Sequence, residues 1–129
     1  MRRFPMLILA AAALGFAAGC GNDSSAPPTR PGPPGTSAII SSGSIAPGGG
    51  SFTFTFPDTG TTGYHCGLHP STMRGNSVTV TSTSPNDSMV VQIVSLSAPG
   101  YSPSATTIKP GGYVRWVNVH TMTHSVEND

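Results

Sequence analysis

From Ala38 to the C-terminus, the sequence consists of short β-type runs separated by turn-forming residues, and this punctuation limits the folds it can adopt. Ser51 to Phe56 alternates phenylalanine with threonine, which would place Phe52, Phe54 and Phe56 on one face of a strand. Proline, glycine, asparagine and aspartate mark turns between the runs, and helical periodicity of useful length is lacking. We therefore predict an all-β domain, a Greek-key β-sandwich. The predicted strands cover residues 51–56, 61–66, 76–81, 89–96, 105–108, 113–119 and 123–126.

The N-terminal segment has the pattern of a secretory signal. Arg2 and Arg3 precede an apolar run over residues 4–18, and small residues lead up to Cys20. This ending resembles the bacterial lipobox, so we expect a lipoprotein signal peptide over residues 1–19 and lipidation of Cys20. An ordinary signal peptide cleaved nearby and an uncleaved anchor are the alternatives. The apolar run is shorter than the ~20 residues that a membrane-spanning helix needs.

Residues 20–37 are rich in proline, glycine, serine and threonine and contain no aliphatic run. Such a segment cannot bury enough apolar surface to offset its chain entropy, so we predict a flexible linker. One domain then remains, over residues 38–129. We expect a secreted protein, anchored by its lipid and facing the periplasm or the cell exterior.

The charge balance and the number of cysteines limit the functions that this protein can have. The 129 residues carry 6 Lys and Arg against 5 Asp and Glu, and the loss of Arg2 and Arg3 with the signal leaves the rest close to neutral. Without a basic stripe to neutralise phosphates, nucleic-acid binding has no support. If Cys20 is lipidated, Cys66 has no partner for a disulfide in an oxidising compartment. Metal ligation is one reason for such a thiol to exist.

Cys66, His69 and Met73 form a C-x2-H-x3-M segment between two predicted strands. A soft thiolate, an imidazole and a soft thioether suit copper in both of its oxidation states. A blue-copper site needs a second imidazole as well, giving two histidines and a cysteine in a plane with a long axial methionine. His124 is the candidate for that second histidine.

Two stretches resemble the plastocyanin and amicyanin branch of the cupredoxins. Lys109-Pro110-Gly111 followed by Val114, Trp116 and Asn118 is similar to the strand that leads to the first histidine ligand in that family. The stretch from Tyr64 through Cys66 to Met73 and Gly75 is similar to the family's Cys-His-Met loop. The resemblance covers nearly all of residues 38–129.

The resemblance implies one type 1 copper ion held by Cys66, His69, Met73 and His124. It also implies single-electron transfer, with His69 as the entry point and Leu68 and Pro70 in an apolar patch around it. Four protein ligands leave no open position for a substrate, so we do not expect an enzyme. The expected partners are redox proteins such as cytochromes or envelope oxidoreductases, and the expected state is a monomer.

The order of the two stretches departs from the family. Here His124 follows Cys66, whereas the relatives have the first histidine before the cysteine. We therefore expect a circular permutation, in which residues Ser82 to Ser88 join the family's original ends. The residue after His124 is Ser125, where the family often has an asparagine that braces the copper loop, so bracing by this side chain is in doubt.

Other interpretations remain open. Cys66 could be a buried structural thiol, Met73 could only pack the loop, and His124 could be a surface residue.

The remaining histidines and methionines are not expected to be ligands. His120 is expected to be exposed, and Met89 and Met122 are expected to pack. His65 should face away from Cys66, because side chains alternate along a strand. At the level of function, the alternatives are a copper-delivery lipoprotein and a structural module without metal.

Overall fold

The structure, a computed structural model, describes residues 38–129. The predicted signal peptide, Cys20 and the predicted linker lie outside the described residues. Within residues 38–129 there is no helix, and so none long and apolar enough to cross a membrane. The strands are β1 (Ser51–Phe56), β2 (Gly60–His65), β3 (Asn76–Val80), β4 (Ser88–Ile93), β5 (Tyr101–Ser102), β6 (Ala105–Ile108), β7 (Gly112–Asn118) and β8 (Glu127–Asn128).

The strands form two four-stranded sheets, in the orders β1-β7-β4-β5 and β6-β3-β2-β8. Both sheets are mixed, because β4 runs parallel to β7 and β6 runs parallel to β3 while their other pairs are antiparallel. The prediction of an all-β sandwich is confirmed.

The alternating sequences of the strands build the core between the sheets. Trp116 is fully buried, with Val114 two residues before it and Asn118 two residues after it, while Tyr113 and Arg115 point outward. In β1, Phe52, Phe54 and Phe56 share one face and pack toward the same core, as their spacing predicts. Apolar side chains on one face of each sheet are thereby removed from water, which is the main stabilising term.

The two ends of the described chain lie side by side. The Asn128 N–H donates to the Ile40 carbonyl at 3.2 Å, and the Ser42 N–H donates to the Val126 carbonyl at 3.0 Å. Ile45 and His124 form an isolated antiparallel bridge. These contacts fix the C-terminal segment across the end of β2, where the Cys66 loop begins.

The predicted strand over residues 123–126 is wrong. His124 makes only the single bridge to Ile45, and regular pairing resumes at β8, where Glu127 lies opposite His65. The backbone between these points bends over the Cys66 loop, so its polar groups bond to side chains and turns instead of to a neighbouring strand. The short strand β5 was not predicted, because two residues carry no periodic signal.

Candidate metal centre

The Cys66 loop is a tight turn closed by its own backbone. It starts where β2 ends, and the His69 N–H donates to the Cys66 carbonyl at 3.0 Å. The Met73 N–H donates to the His69 carbonyl, and the Cys66 N–H donates to the Met73 carbonyl, both at 3.0 Å. These bonds place the side chains of Cys66, His69 and Met73 around one turn of chain.

His124 reaches the same loop from the C-terminal segment. Its N–H donates to the Ile45 carbonyl at 3.2 Å, and its carbonyl accepts from the Ile45 N–H at 2.7 Å. The His124 side chain is completely buried. The position of this ring is therefore set by the backbone on both sides of the bridge.

Cys66, His69 and His124 converge on one point, with one ligand atom of each within 4.8 Å of the others. The Cys66 Sγ lies 3.5 Å from His69 Nδ1 and 3.7 Å from His124 Nδ1. A thiol has one proton, so Cys66 could donate a hydrogen bond to only one of these two nitrogens. A nitrogen at about 2.0 Å and a sulfur at about 2.3 Å from a shared ion stand roughly 3.5–3.7 Å apart at ordinary coordination angles. The three residues therefore fit a common metal ion.

Met73 lies in the core beside these three residues. It is fully buried, and its Cγ and Cε pack against Gly100, where an added Cβ would lie 2.8 Å and 2.7 Å from these atoms. Gly100 also has a positive φ of 78°, which glycine adopts without strain. Glycine at position 100 thus leaves room for the Met73 side chain next to Cys66, His69 and His124.

The site favours neutral imidazole at His124. Its pKa lies below its ordinary value because burial disfavours the charged ring, and because positive charge on His69 or His120 would repel it. A neutral ring keeps a lone pair for a metal ion. Protons therefore compete with a metal ion less at His124 than at an ordinary histidine.

Tyr101 closes the buried side of the site. Its hydroxyl donates to the Ser125 carbonyl, and its ring meets Tyr64 edge-on with centroids 5.1 Å apart. Burial, and then the charge of the Cys66 thiolate, raise the pKa of Tyr101 far above its usual range. Two buried aromatic rings thus cover this side of the site.

Ser125 braces the Cys66 loop. Its Oγ accepts from the Gly67 N–H at 2.9 Å, and its own N–H donates to the Cys66 Sγ at 3.3 Å. Bracing of the loop by Ser125, which was in doubt from the sequence alone, is therefore present and uses both the hydroxyl and the backbone N–H.

The expectation that His120 is exposed is wrong. It is half-buried, and its Nδ1 lies 2.9 Å from His124 Nε2, the nitrogen that faces away from Cys66. The turn that follows β7 brings the two rings together, because the Asn118 side chain binds both the His120 N–H and the Met122 carbonyl. The spacing of four residues alone has no such meaning outside a helix, so sequence reasoning missed this contact. Met122, expected to pack, is 44% exposed.

The other named residues lie as follows. His65 is partly exposed on the face opposite the buried Cys66, as predicted, and its Nδ1 lies 2.9 Å from Asp129 Oδ1. Met89 is half-buried against the core, also as predicted. His69 is half-exposed between Leu68 and Pro70, which are both exposed.

Comparisons of the chain with protein-family models, with curated proteins and with solved structures found no match. The arrangement of Cys66, His69, His124 and Met73 in an all-β sandwich is compatible with a cupredoxin.

Proposed function

We propose that this protein is a cupredoxin that binds one type 1 copper ion and carries single electrons at the cell envelope. The observation that carries the proposal is the convergence of two histidine Nδ1 atoms on the buried sulfur of Cys66. A buried methionine next to this cluster completes the donor set of a blue-copper site.

The donor chemistry favours copper over metals that prefer oxygen ligands. Cys66, His69, His124 and Met73 would hold the ion. A thiolate and a thioether together suit copper in both oxidation states, whereas carboxylate and carbonyl oxygens would suit magnesium or calcium. When bound, copper supplies one-electron chemistry by alternating between Cu(I) and Cu(II).

The protein's own residues hold the site and exclude water from it. His124 is fixed by the bridge to Ile45, and the Cys66 loop is closed by its own hydrogen bonds, so neither needs to move when the charge of the site changes. Cys66, Met73 and His124 are completely buried. Only His69 reaches the surface, where Leu68 and Pro70 offer an apolar contact. We infer that electrons enter and leave through His69.

We infer that the chain is a circularly permuted cupredoxin. Two features support this. Ile40 and Asn128, near the two ends of the domain, are hydrogen-bonded neighbours, as ends created by permutation should be. Ser82 to Ser88 is a surface connection between β3 and β4, which suits a joint between former ends.

The setting follows from the expected lipoprotein signal. A lipid on Cys20 and the linker would tether the domain to a membrane outside the cytoplasm. Redox partners such as cytochromes or envelope oxidoreductases could then reach His69. We propose a monomer that works as a carrier and not as an enzyme, because four protein ligands leave no position for a substrate.

Copper delivery is the second candidate, and one observation favours it. Met122 is 44% exposed on the turn that also carries His120, and the His120 ring contacts the ring of His124. Soft sulfur and imidazole donors near the edge of the site could pass Cu(I) to an acceptor.

The test is a redox cycle on the copper-loaded chain. We expect a strong visible band on adding Cu(II), its loss with ascorbate and its return with an oxidant, with the copper still bound after several cycles. Rapid transfer of the copper to an apoprotein acceptor, with no electron exchange with a cytochrome, would favour delivery instead. A chain that gains no band would be a module without a type 1 site.

A further inference from the structure

We propose that Glu127 directs the hydroxyl proton of Ser125 away from the Cys66 sulfur, and that it thereby sets the number of hydrogen bonds the thiolate receives. This inference rests on the proposed function for its effect on copper. The hydrogen-bond arrangement itself does not depend on a metal. Glu127 acts through Ser125 and is a positioning residue.

Three groups surround the Ser125 hydroxyl. The Gly67 N–H donates to Oγ at 2.9 Å, the Cys66 Sγ lies 3.8 Å away, and the Glu127 Oε1 lies 3.3 Å away. The hydroxyl has one proton, and two acceptors compete for it. The carboxylate oxygen is nearer than the sulfur and is the stronger acceptor, so the proton goes to Glu127. The sulfur then keeps one donor from this residue, the Ser125 N–H at 3.3 Å.

The backbone holds Glu127 in place for this role. Glu127 begins β8, where it pairs with His65 on one side and forms a bridge to Ser41 on the other. Its carboxylate lies directly over Gly67. An ideal Cβ on Gly67 would overlap both oxygens of the Glu127 carboxylate, so any side chain there would displace the carboxylate. The glycine after Cys66 therefore makes the position of Glu127 possible.

The number of donors to the sulfur has a direct consequence for a copper thiolate. Each hydrogen bond withdraws electron density from the sulfur and weakens its donation to Cu(II). A second donor would therefore move the sulfur-to-copper band to higher energy and raise the reduction potential. By holding the Ser125 proton, Glu127 keeps the thiolate a strong donor.

The test compares Glu127→Ala with Glu127→Gln. Both remove the charge, but the glutamine carbonyl can still accept the Ser125 proton. In the copper form, we expect the visible band to move to higher energy in Glu127→Ala and to stay at the wild-type position in Glu127→Gln. In a Ser125→Ala background, Glu127→Ala should no longer move the band, because no hydroxyl remains to turn. A shift of equal size in both backgrounds, or in both Glu127 variants, would overturn the proposal.

Amide hydrogen exchange of the metal-free chain separates this proposal from the one about copper. In the wild type, donation to the carboxylate polarises Oγ and strengthens the bond that it accepts from the Gly67 N–H. If the hydroxyl turns to the weaker acceptor sulfur, that bond weakens, and the Gly67 amide should exchange roughly 2- to 10-fold faster in Glu127→Ala. The Gly67 amide should keep its wild-type rate in Glu127→Gln. The Cys66 amide, which bonds to the Met73 carbonyl, is the internal control for an intact loop. An unchanged Gly67 rate in Glu127→Ala contradicts the role of Glu127, whereas a wild-type chain without a visible band contradicts the copper site alone.

Discussion

At the scale of single residues, Cys66 is the side chain on which the proposed colour depends. Its buried sulfur has two imidazole nitrogens and one backbone N–H around it. The visible band of such a site arises from charge transfer between thiolate and Cu(II). We expect Cys66→Ser to abolish the band, because a serine oxygen holds its electrons at much lower energy. A visible spectrum of the copper-treated variant checks this, with circular dichroism as the control for folding. Persistence of the band would show that another residue is the ligand.

Met73 gives a second prediction at this scale. Leucine has nearly the same volume, so Met73→Leu should cost less than about 1.5 kcal/mol of stability. It removes the weak sulfur contact that helps Cu(II) more than Cu(I). We therefore expect the colour to remain and the reduction potential to rise, as measured by equilibrium titration with redox mediators. A potential equal to that of the wild type would mean that Met73 only packs against Gly100.

The residue types of the candidate site could be predicted from the sequence, but their surroundings could not. Cys66, His69 and Met73 are close in sequence, and the chemistry of their donor atoms limits the metals that they suit. The contact of His120 with His124 and the position of Glu127 over Gly67 depend on how the C-terminal segment crosses the loop. Nothing in the local sequence encodes that crossing.

At the scale of elements, strands with strong alternation were predicted well. β1 and β6 have the predicted bounds, and β2, β3, β4 and β7 differ from theirs by one to three residues at their ends. The segment 123–126 failed because its apolar and polar residues alternate weakly, and tertiary contacts with Ile45 and Ser42 decide its backbone. The pairing order of the strands, and the parallel pairs in particular, cannot be obtained from periodicity.

Asn118 at the end of β7 carries the prediction for this scale. It is fully buried, donates to the carbonyls of Ile45 at 3.0 Å and Met122 at 2.8 Å, and accepts from the His120 N–H at 3.1 Å. Asn118→Ala would remove all three bonds and leave the Met122 carbonyl without this donor, while the Ile45 carbonyl keeps the His124 N–H and the His120 N–H keeps the Ile93 carbonyl. We therefore expect it to lower the free energy of unfolding by about 1–3 kcal/mol.

Chemical denaturation of the metal-free protein measures this effect. The matched control is Gln92→Ala on neighbouring β4, where the side chain is exposed and a change within about 0.5 kcal/mol is expected. Because the turn after β7 also holds His120 against His124, copper affinity should fall in the Asn118 variant only. Equal stability of the two variants would contradict the structural role given to Asn118.

At the scale of the whole molecule, the buried histidine couples stability to pH. The pKa of His124 in the folded state is below the ordinary value of 6.5, so the unfolded chain binds this proton more readily. The free energy of unfolding of the metal-free protein should therefore fall as the pH drops below about 6.5, until the folded pKa is reached. The slope from one such group is at most about 1.4 kcal/mol per pH unit. Denaturation across a pH series should show a shallower slope in His124→Gln, and an identical slope would contradict the shift.

The central claim is that one folded chain supplies all four ligands to a single copper ion. The claim depends on His124, which reaches the Cys66 loop from the C-terminal segment of the same chain. The most direct measurement is a Cu(II) titration of the purified chain, followed at the visible band and by sedimentation of the coloured species. We predict that the band saturates at one copper per chain and sediments as a monomer. A band that forms only in dimers, or no band at all, would contradict the claim.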